Sequence, residues 1–231
     1  MVLYTSGPSV GTEPYIEETD EDFRVSPRIF TDPAIFEEEM ERIFGRAWVY
    51  VGHVSEIAQA GDYKTSSIGR TPIILSRDQH GQIHVLVNAC RHRANAVCRS
   101  DAGNSTYFRC PYHGWVYAND GRLIGVAMRK GYPPSFGEDV DGLVRAARVA
   151  VYRGLIFASM APAGPTIEEY LGPVARHIDA WADQAIEGDL EVVRPHQYNY
   201  FGNWKFQAEN GADGYHPGFV HESAFKTFSK F

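Results

Sequence analysis

Apolar positions along this chain change their spacing several times. Residues 1–30 carry no clear period and read as an extended, acidic arm. From residue 31 the spacing turns helical. Ile35, Phe36, Met40, Ile43 and Phe44 recur at three- and four-residue intervals, which predicts a helix with one buried face. Thr31 or Asp32 caps it, Pro33 enters its first turn and Gly45 ends it. From Trp48 the runs become short and strand-like: WVYVGHV, YKTSSI, PIILSRD, QIHVLVN, TYFRC, WVYANDGRLIGVA and VAVYRGLIFASM. DQHGQ reads as a hairpin turn, and Asp120-Gly121 as another. PAGPT at 162–166 marks a boundary, after which 167–186 has helical spacing interrupted at Gly172-Pro173. Residues 190–204 return to strand composition.

The expected class is therefore α+β. An arm and helix (1–47) precede an antiparallel β domain (48–160). A second unit begins at 161 and reaches 231 without a closing element, so it is expected to be incomplete. No internal repeat or low-complexity tract is present. With 44% hydrophobic and 22% charged residues, the composition is that of an ordinary globular protein. The net charge of −7 and the lack of a Lys/Arg stripe argue against nucleic acid and anionic membrane surfaces as partners. The first residues show no basic-then-apolar leader, and no stretch approaches the roughly 20 apolar residues of a membrane span. The three cysteines are then expected to be reduced, in a cytoplasm.

That bears on CRHRANAVC, residues 90–98, since a Cys90–Cys98 disulfide is disfavoured there. A second stretch, FRCPYHGWVY, completes a pattern: Cys90-x-His92 and Cys110-x-x-His113, with seventeen residues between. Two Cys/His pairs can hold tetrahedral zinc, mononuclear iron or a two-iron cluster. Zinc ribbons usually use Cys-x-x-Cys knuckles, whereas one cysteine and one histidine on each of two loops lets two thiolates take one iron and two imidazoles the other. Pro111 stiffens the second loop, and Gly114 admits close backbone approach. Cys98 reads as a small buried hydrophobe.

CRHR … CPYHGW resembles the Rieske [2Fe–2S] motif. The respiratory type of Rieske protein carries two further cysteines and a serine near the second histidine; Tyr112 and Trp115 stand in that neighbourhood here. Fewer donors to the cluster sulfurs imply a potential at the low end of the Rieske range, near about −150 mV. The family usually has glycine after CRHR, and this chain has Ala94. If the loop needs a positive φ there, alanine costs on the order of 1 kcal/mol.

A second constellation, NWKFQAENGADGYHPGFVH, holds Glu209, Asn210, Asp213, His216 and His221. On a regular helix His216 and His221 would lie about 140° apart. They could share a metal only if the helix ends or bulges between them, where Pro217 and Gly218 sit. Two imidazoles and a carboxylate form the facial triad of non-haem Fe(II) oxygenases. With the Rieske motif, this stretch resembles the large (α) subunit of Rieske ring-hydroxylating oxygenases, with ENGADGYH nearest the members acting on benzoate, toluate or anthranilate. The resemblance implies a Rieske domain followed by a helix-grip catalytic domain. It implies Cys90 and Cys110 on one cluster iron, His92 and His113 on the other, and His216 and His221 on a mononuclear Fe(II). Asp213 would bridge His216 to the equivalent of His113 in a neighbouring subunit. Glu209 and Asn210 would support the site. The third iron ligand, an acid, is expected beyond Phe231.

The implied activity is hydroxylation of an aromatic ring, an aromatic carboxylate by preference, with O2 and electrons from a reductase or ferredoxin. The implied assembly is a homotrimer or an α3β3 complex with a small β subunit. A Rieske ferredoxin-like electron carrier is the alternative, and a zinc-stabilised binding module a third.

Overall fold

The computed structural model describes residues 15–136, 142–186, 188–193 and 198–228. The chain forms two compact units, residues 38–195 and residues 1–37 together with 196–231.

The smaller unit begins with a hairpin of β1 (Ile16–Glu18) and β2 (Phe23–Val25), so the described part of the expected arm is not simply extended. A short helix α1 (Arg28–Thr31) precedes α2 (Pro33–Glu39). Asp32 caps α2, its Oδ1 accepting Ala34 N–H at 3.0 Å. The expected single helix to Gly45 changes form at residue 40. Met40–Phe44 widen into a π-turn that closes on Gly45 N–H donating to Met40 O. A Cβ on Gly45 would lie 2.4 Å from Glu41 O, so glycine suits the stop. No side chain of this stretch is fully buried and Ile43 is 41% exposed, so the expected apolar face is only half covered.

The larger unit holds three cores. Strand β3 (Val49–His53) leads to β4 (Asp62–Ile68), β5 (Thr71–Arg77), β6 (Ile83–Val87) and β7 (Ala102–Asn104). The last four form an antiparallel sheet in the order β6-β5-β4-β7. Ile73, Leu75 and Val85 point into one core with Val51, Ile57, Ile68 and Ile156; Ile74 and Leu86 point into another. Both faces are covered, which is why PIIL runs apolar without alternation. β7 escaped prediction because Ala-Gly-Asn has no strand preference; its pairing to β4 makes it a strand.

β8 (Tyr107–Arg109), β9 (Val116–Ala118) and β10 (Leu123–Gly125) form a meander, with Gly121 at φ 93° in the predicted turn. β11 (Arg148–Tyr152) and β12 (Leu155–Ser159) return to pair with β3. A third core of Trp48, Phe157 and Ile167 seats α3 (Ile167–Leu171), which Thr166 caps. Trp48 Nε1 donates to Pro165 O at 2.9 Å. After Gly172-Pro173, α4 spans Ala175–Ala182.

Among the described residues of 190–204 there is no strand, contrary to expectation, and 194–197 lie outside them. Their aromatic composition favours strands, but a strand needs a partner ladder, and none pairs here. The chain returns to the smaller unit as α5 (Trp204–Ala212), α6 (Pro217–Val220) and α7 (Glu222–Phe228). Phe206 stacks on Phe30 at 4.5 Å, and Asn203 Nδ2 donates to Phe30 O at 3.2 Å.

Candidate metal centre

Two loops of the larger unit carry the first constellation. One follows β6, and the other joins β8 to β9. They share one backbone frame. In the first, Ala94 N–H donates to Cys90 O and Cys90 N–H donates to Asn95 O; in the second, Gly114 N–H donates to Cys110 O and Cys110 N–H to Trp115 O. Each loop turns through a left-handed residue at the same place, Ala94 at φ 54° and Gly114 at φ 70°. The positive φ considered for Ala94 is thus present, and an L-residue occupies it.

The frame sends the cysteines inward and the histidines outward. Cys90 and Cys110 are 4% and 2% exposed and belong to the core with Ile74, Leu86, Phe108, Trp115 and Tyr117. His92 and His113 are exposed, with their Nδ1 atoms 3.1 Å apart. The His92 ring stacks on Trp115 at 5.1 Å, and Tyr112 covers His113 at 3.8 Å. Trp115 is wedged in turn by the edges of Tyr132 and Phe136.

Burial alone would raise the Cys110 thiol. The backbone N–H groups of Tyr112 and His113, the Cys90 thiol and the Asn95 amide outweigh it, so Cys110 ionises below the usual thiol value. Burial, then the charges of His92 and Arg93, holds His113 below the ordinary imidazole value. Both shifts favour the deprotonated forms that bind metal.

Three supporting residues escaped the sequence reading. Asn88, 6% exposed, accepts Val97 and Cys98 N–H on Oδ1 at 2.9 Å each and donates from Nδ2 to Cys98 O at 2.8 Å. It ties down the far end of the first loop. Tyr117, fully buried, brings its hydroxyl within 3.2 Å of Cys90 Sγ and accepts Arg91 N–H at 3.1 Å. Burial and the Cys90 thiol push its phenol well up, so it stays a neutral donor. Asn95 lies across from Cys110. The sulfurs are therefore better supplied with donors than the missing serine suggested. Cys98 is buried, its thiol pushed up mainly by burial, and it is free rather than disulfide-bonded.

The donor set fits a two-iron cluster better than a single ion. Its two sulfurs face the core together and its two imidazole nitrogens face outward together. Among the described residues, no three His, Cys, Asp or Glu side chains gather as one metal ion would need.

The second constellation lies in the smaller unit. Asp213 follows α5 and turns the chain: its Oδ1 accepts Tyr215 N–H at 2.6 Å, and its Oδ2 lies 3.0 Å from His216 Nδ1. The Tyr215 N–H and then the His216 side chain hold its carboxyl below the usual range. His216 and His221 have ring centroids 5.5 Å apart. The break differs in place from the one foreseen. Pro217 starts α6 rather than breaking a helix, and His221, at φ −108°, closes it before α7. Asp213 is exposed in the single chain. Glu209 accepts Asp213 N–H through its backbone and, like Asn210, is exposed.

Two thiols inward and two imidazoles outward on twin loops are the donor arrangement a Rieske-type cluster requires. Residues 47–136 match the family described as the Rieske [2Fe–2S] domain. The chain resembles, over most of its length, the large subunits of ring-hydroxylating dioxygenases. It is 42% identical to the anthranilate 1,2-dioxygenase large subunit of Acinetobacter baylyi, over 89% of this chain and 44% of that protein. It is 44% identical to the toluate 1,2-dioxygenase subunit alpha of Pseudomonas putida, over 89% of this chain and 46% of that one. Among solved structures, naphthalene 1,2-dioxygenase from Rhodococcus sp., bound to indole, superposes with a TM-score of 0.80 at 39% identity, covering 87% of this chain and 46% of that one. The chain thus spans a little under half the length of the relatives it matches.

Proposed function

We propose that this chain is the cluster-bearing part of an oxygenase large subunit that hydroxylates an aromatic ring, an aromatic carboxylate by class, with O2. The observation that carries the reading is the sorting of the four ligands, sulfur toward the core and nitrogen toward solvent. Similarity to subunits named for anthranilate and toluate supports the substrate class. We keep the division into an arm (1–47), a Rieske domain (48–160) and the start of a mononuclear-iron domain (161–231). The stacking of Phe30 on Phe206 supports the arm's association with that last part.

Cys90, Cys110, His92 and His113 would hold a [2Fe–2S] cluster, and His216 and His221 two positions on a mononuclear Fe(II). When bound, these groups supply one-electron storage and O2 activation. The protein side sets them up. Loop hydrogen bonds fix the thiolates, and the aromatic packing of Trp115 and Tyr112 fixes the imidazoles. Asp213 Oδ2 accepts from His216 Nδ1–H, which leaves Nε2 with its lone pair outward for a metal.

The electron donor would meet the exposed histidine edge. Residues 90–136 hold seven Lys and Arg against two acids in a chain of net charge −7. Arg91, Arg93 and Arg109 are exposed there. An acidic reductase or ferredoxin suits that rim. We place the full protein in a cytoplasmic homotrimer or α3β3 assembly; no helix among the described residues is long and apolar enough to cross a membrane.

The test is anaerobic purification of the full-length protein, with iron, sulfide and zinc analysis and turnover of benzoate, toluates and anthranilate. About three irons per two sulfides, with substrate-dependent O2 uptake, is expected. Two irons per two sulfides without turnover would point to an electron carrier, and a colourless zinc protein would overturn the reading.

A further inference from the structure

Each ligand sulfur is approached from the opposite loop. Tyr117, just past the second loop, reaches Cys90 in the first at 3.2 Å. Asn95, closing the first loop, returns the contact: its amide nitrogen lies 4.0 Å from Cys110 Sγ, the long end for an N–H···S interaction. One hydrogen of this amide is held: its nitrogen also donates to Ala96 O at 3.0 Å, while the Asn95 backbone carbonyl, accepting Cys90 N–H at 2.9 Å, fixes the main chain from which the side chain springs. The residue is half-buried.

We propose that Asn95 is a positioning residue for electron affinity, its side-chain amide donating to Cys110 Sγ and stabilising the added negative charge of the reduced cluster. The proposal rests on the cluster reading above. Reduction adds one electron, supplied by the external donor and lost again onward, with no bond made or broken at Asn95. A donor aimed at a ligand sulfur interacts more strongly with the more negative state, so it raises the potential. The distances rank the two donors: Asn95, at 4.0 Å, contributes less than Tyr117 at 3.2 Å.

The test uses full-length protein with its cluster loaded, titrated anaerobically by visible absorption and circular dichroism. Asn95→Leu should move the one-electron equilibrium two- to fivefold toward the oxidised form. At about 59 mV per tenfold this is a midpoint about 18–41 mV lower. Tyr117→Phe should move it further in the same direction. Asn95→Gln, which keeps an N–H donor, should lie above Asn95→Leu. Asn95→Asp provides a second route should the leucine variant not load, and should titrate lowest of the Asn95 variants. A leucine variant with the wild-type spectrum and a midpoint within 10 mV of wild type, or above it, overturns the proposal; so does a glutamine variant as low as leucine. A wild type without cluster absorption would overturn the underlying reading instead.

Discussion

Ala94 and Gly114 occupy the same place in twin loops, both in the left-handed region, and only one of them is glycine. Exchanging the residue types should therefore act with opposite signs. At Ala94 the left-handed backbone costs an L-residue about 1–2 kcal/mol. Glycine relieves that strain and adds about 0.5–1 kcal/mol of unfolded-state entropy. Ala94→Gly should be net stabilising, by about 0.5–1 kcal/mol. At Gly114 an added Cβ would meet nothing nearer than Arg109 Nε at 3.8 Å, so no clash enters. Gly114→Ala carries the strain alone, offset by the same entropy, and should destabilise by about 0.5–1 kcal/mol. Urea unfolding at matched cluster occupancy, followed by tryptophan fluorescence, measures both as midpoint shifts at constant slope. A destabilised Ala94→Gly, or a Gly114→Ala indistinguishable from wild type, would refute the view that backbone strain at this position is what the two loops differ in.

Other expectations follow from the same geometry. Asn88→Ala leaves two buried N–H groups and one carbonyl without partners and should lower stability by about 3–4 kcal/mol, read by the same unfolding assay. Asp78 is almost fully buried. Burial raises its carboxyl, but hydrogen bonds from the His84 ring and from Gln82 and His80 N–H outweigh this, so its pKa is lowered. A lowered folded-state value contributes stability above the unfolded value, about 3.9, and loses it as pH falls below about 4. Asp78→Asn should flatten that acid limb in a stability–pH profile, and an unchanged limb would assign it elsewhere. Charge reversal at Arg91 and Arg93 should slow cluster reduction by an acidic plant-type ferredoxin about tenfold at low salt, with the difference closing at high salt. A rate indifferent to both would remove the rim from the donor's path.

What could be read in advance was local. Cysteine and histidine within three residues on one loop must lie near each other wherever the chain goes, so Cys90, His92, Cys110 and His113 stood out. The turn at Gly121 and the interruption at Gly172-Pro173 were equally short-range. Asn88, Asn95 and Tyr117 were not visible because their partners are set by folding. Tyr117 reaches Cys90 across 27 positions, and nothing in GWVY says which wall it will face. β7 was not legible, and no strand forms among the described residues of 190–204 despite their composition, for the same reason: pairing, more than composition, decides a strand.

Each loop closes on itself with its own two backbone hydrogen bonds, and the cross-contacts of Tyr117 and Asn95 add to a shape each loop already holds. Their separation is governed from behind, by β6 in one sheet and the β8–β9 hairpin in another, with Leu86, Phe108 and Tyr117 filling the space between. The centre works like a calliper: the jaws are rigid, and the gauge setting lies in the arms. A methylene lost at Phe108 or Leu86 would alter the grip without touching either jaw.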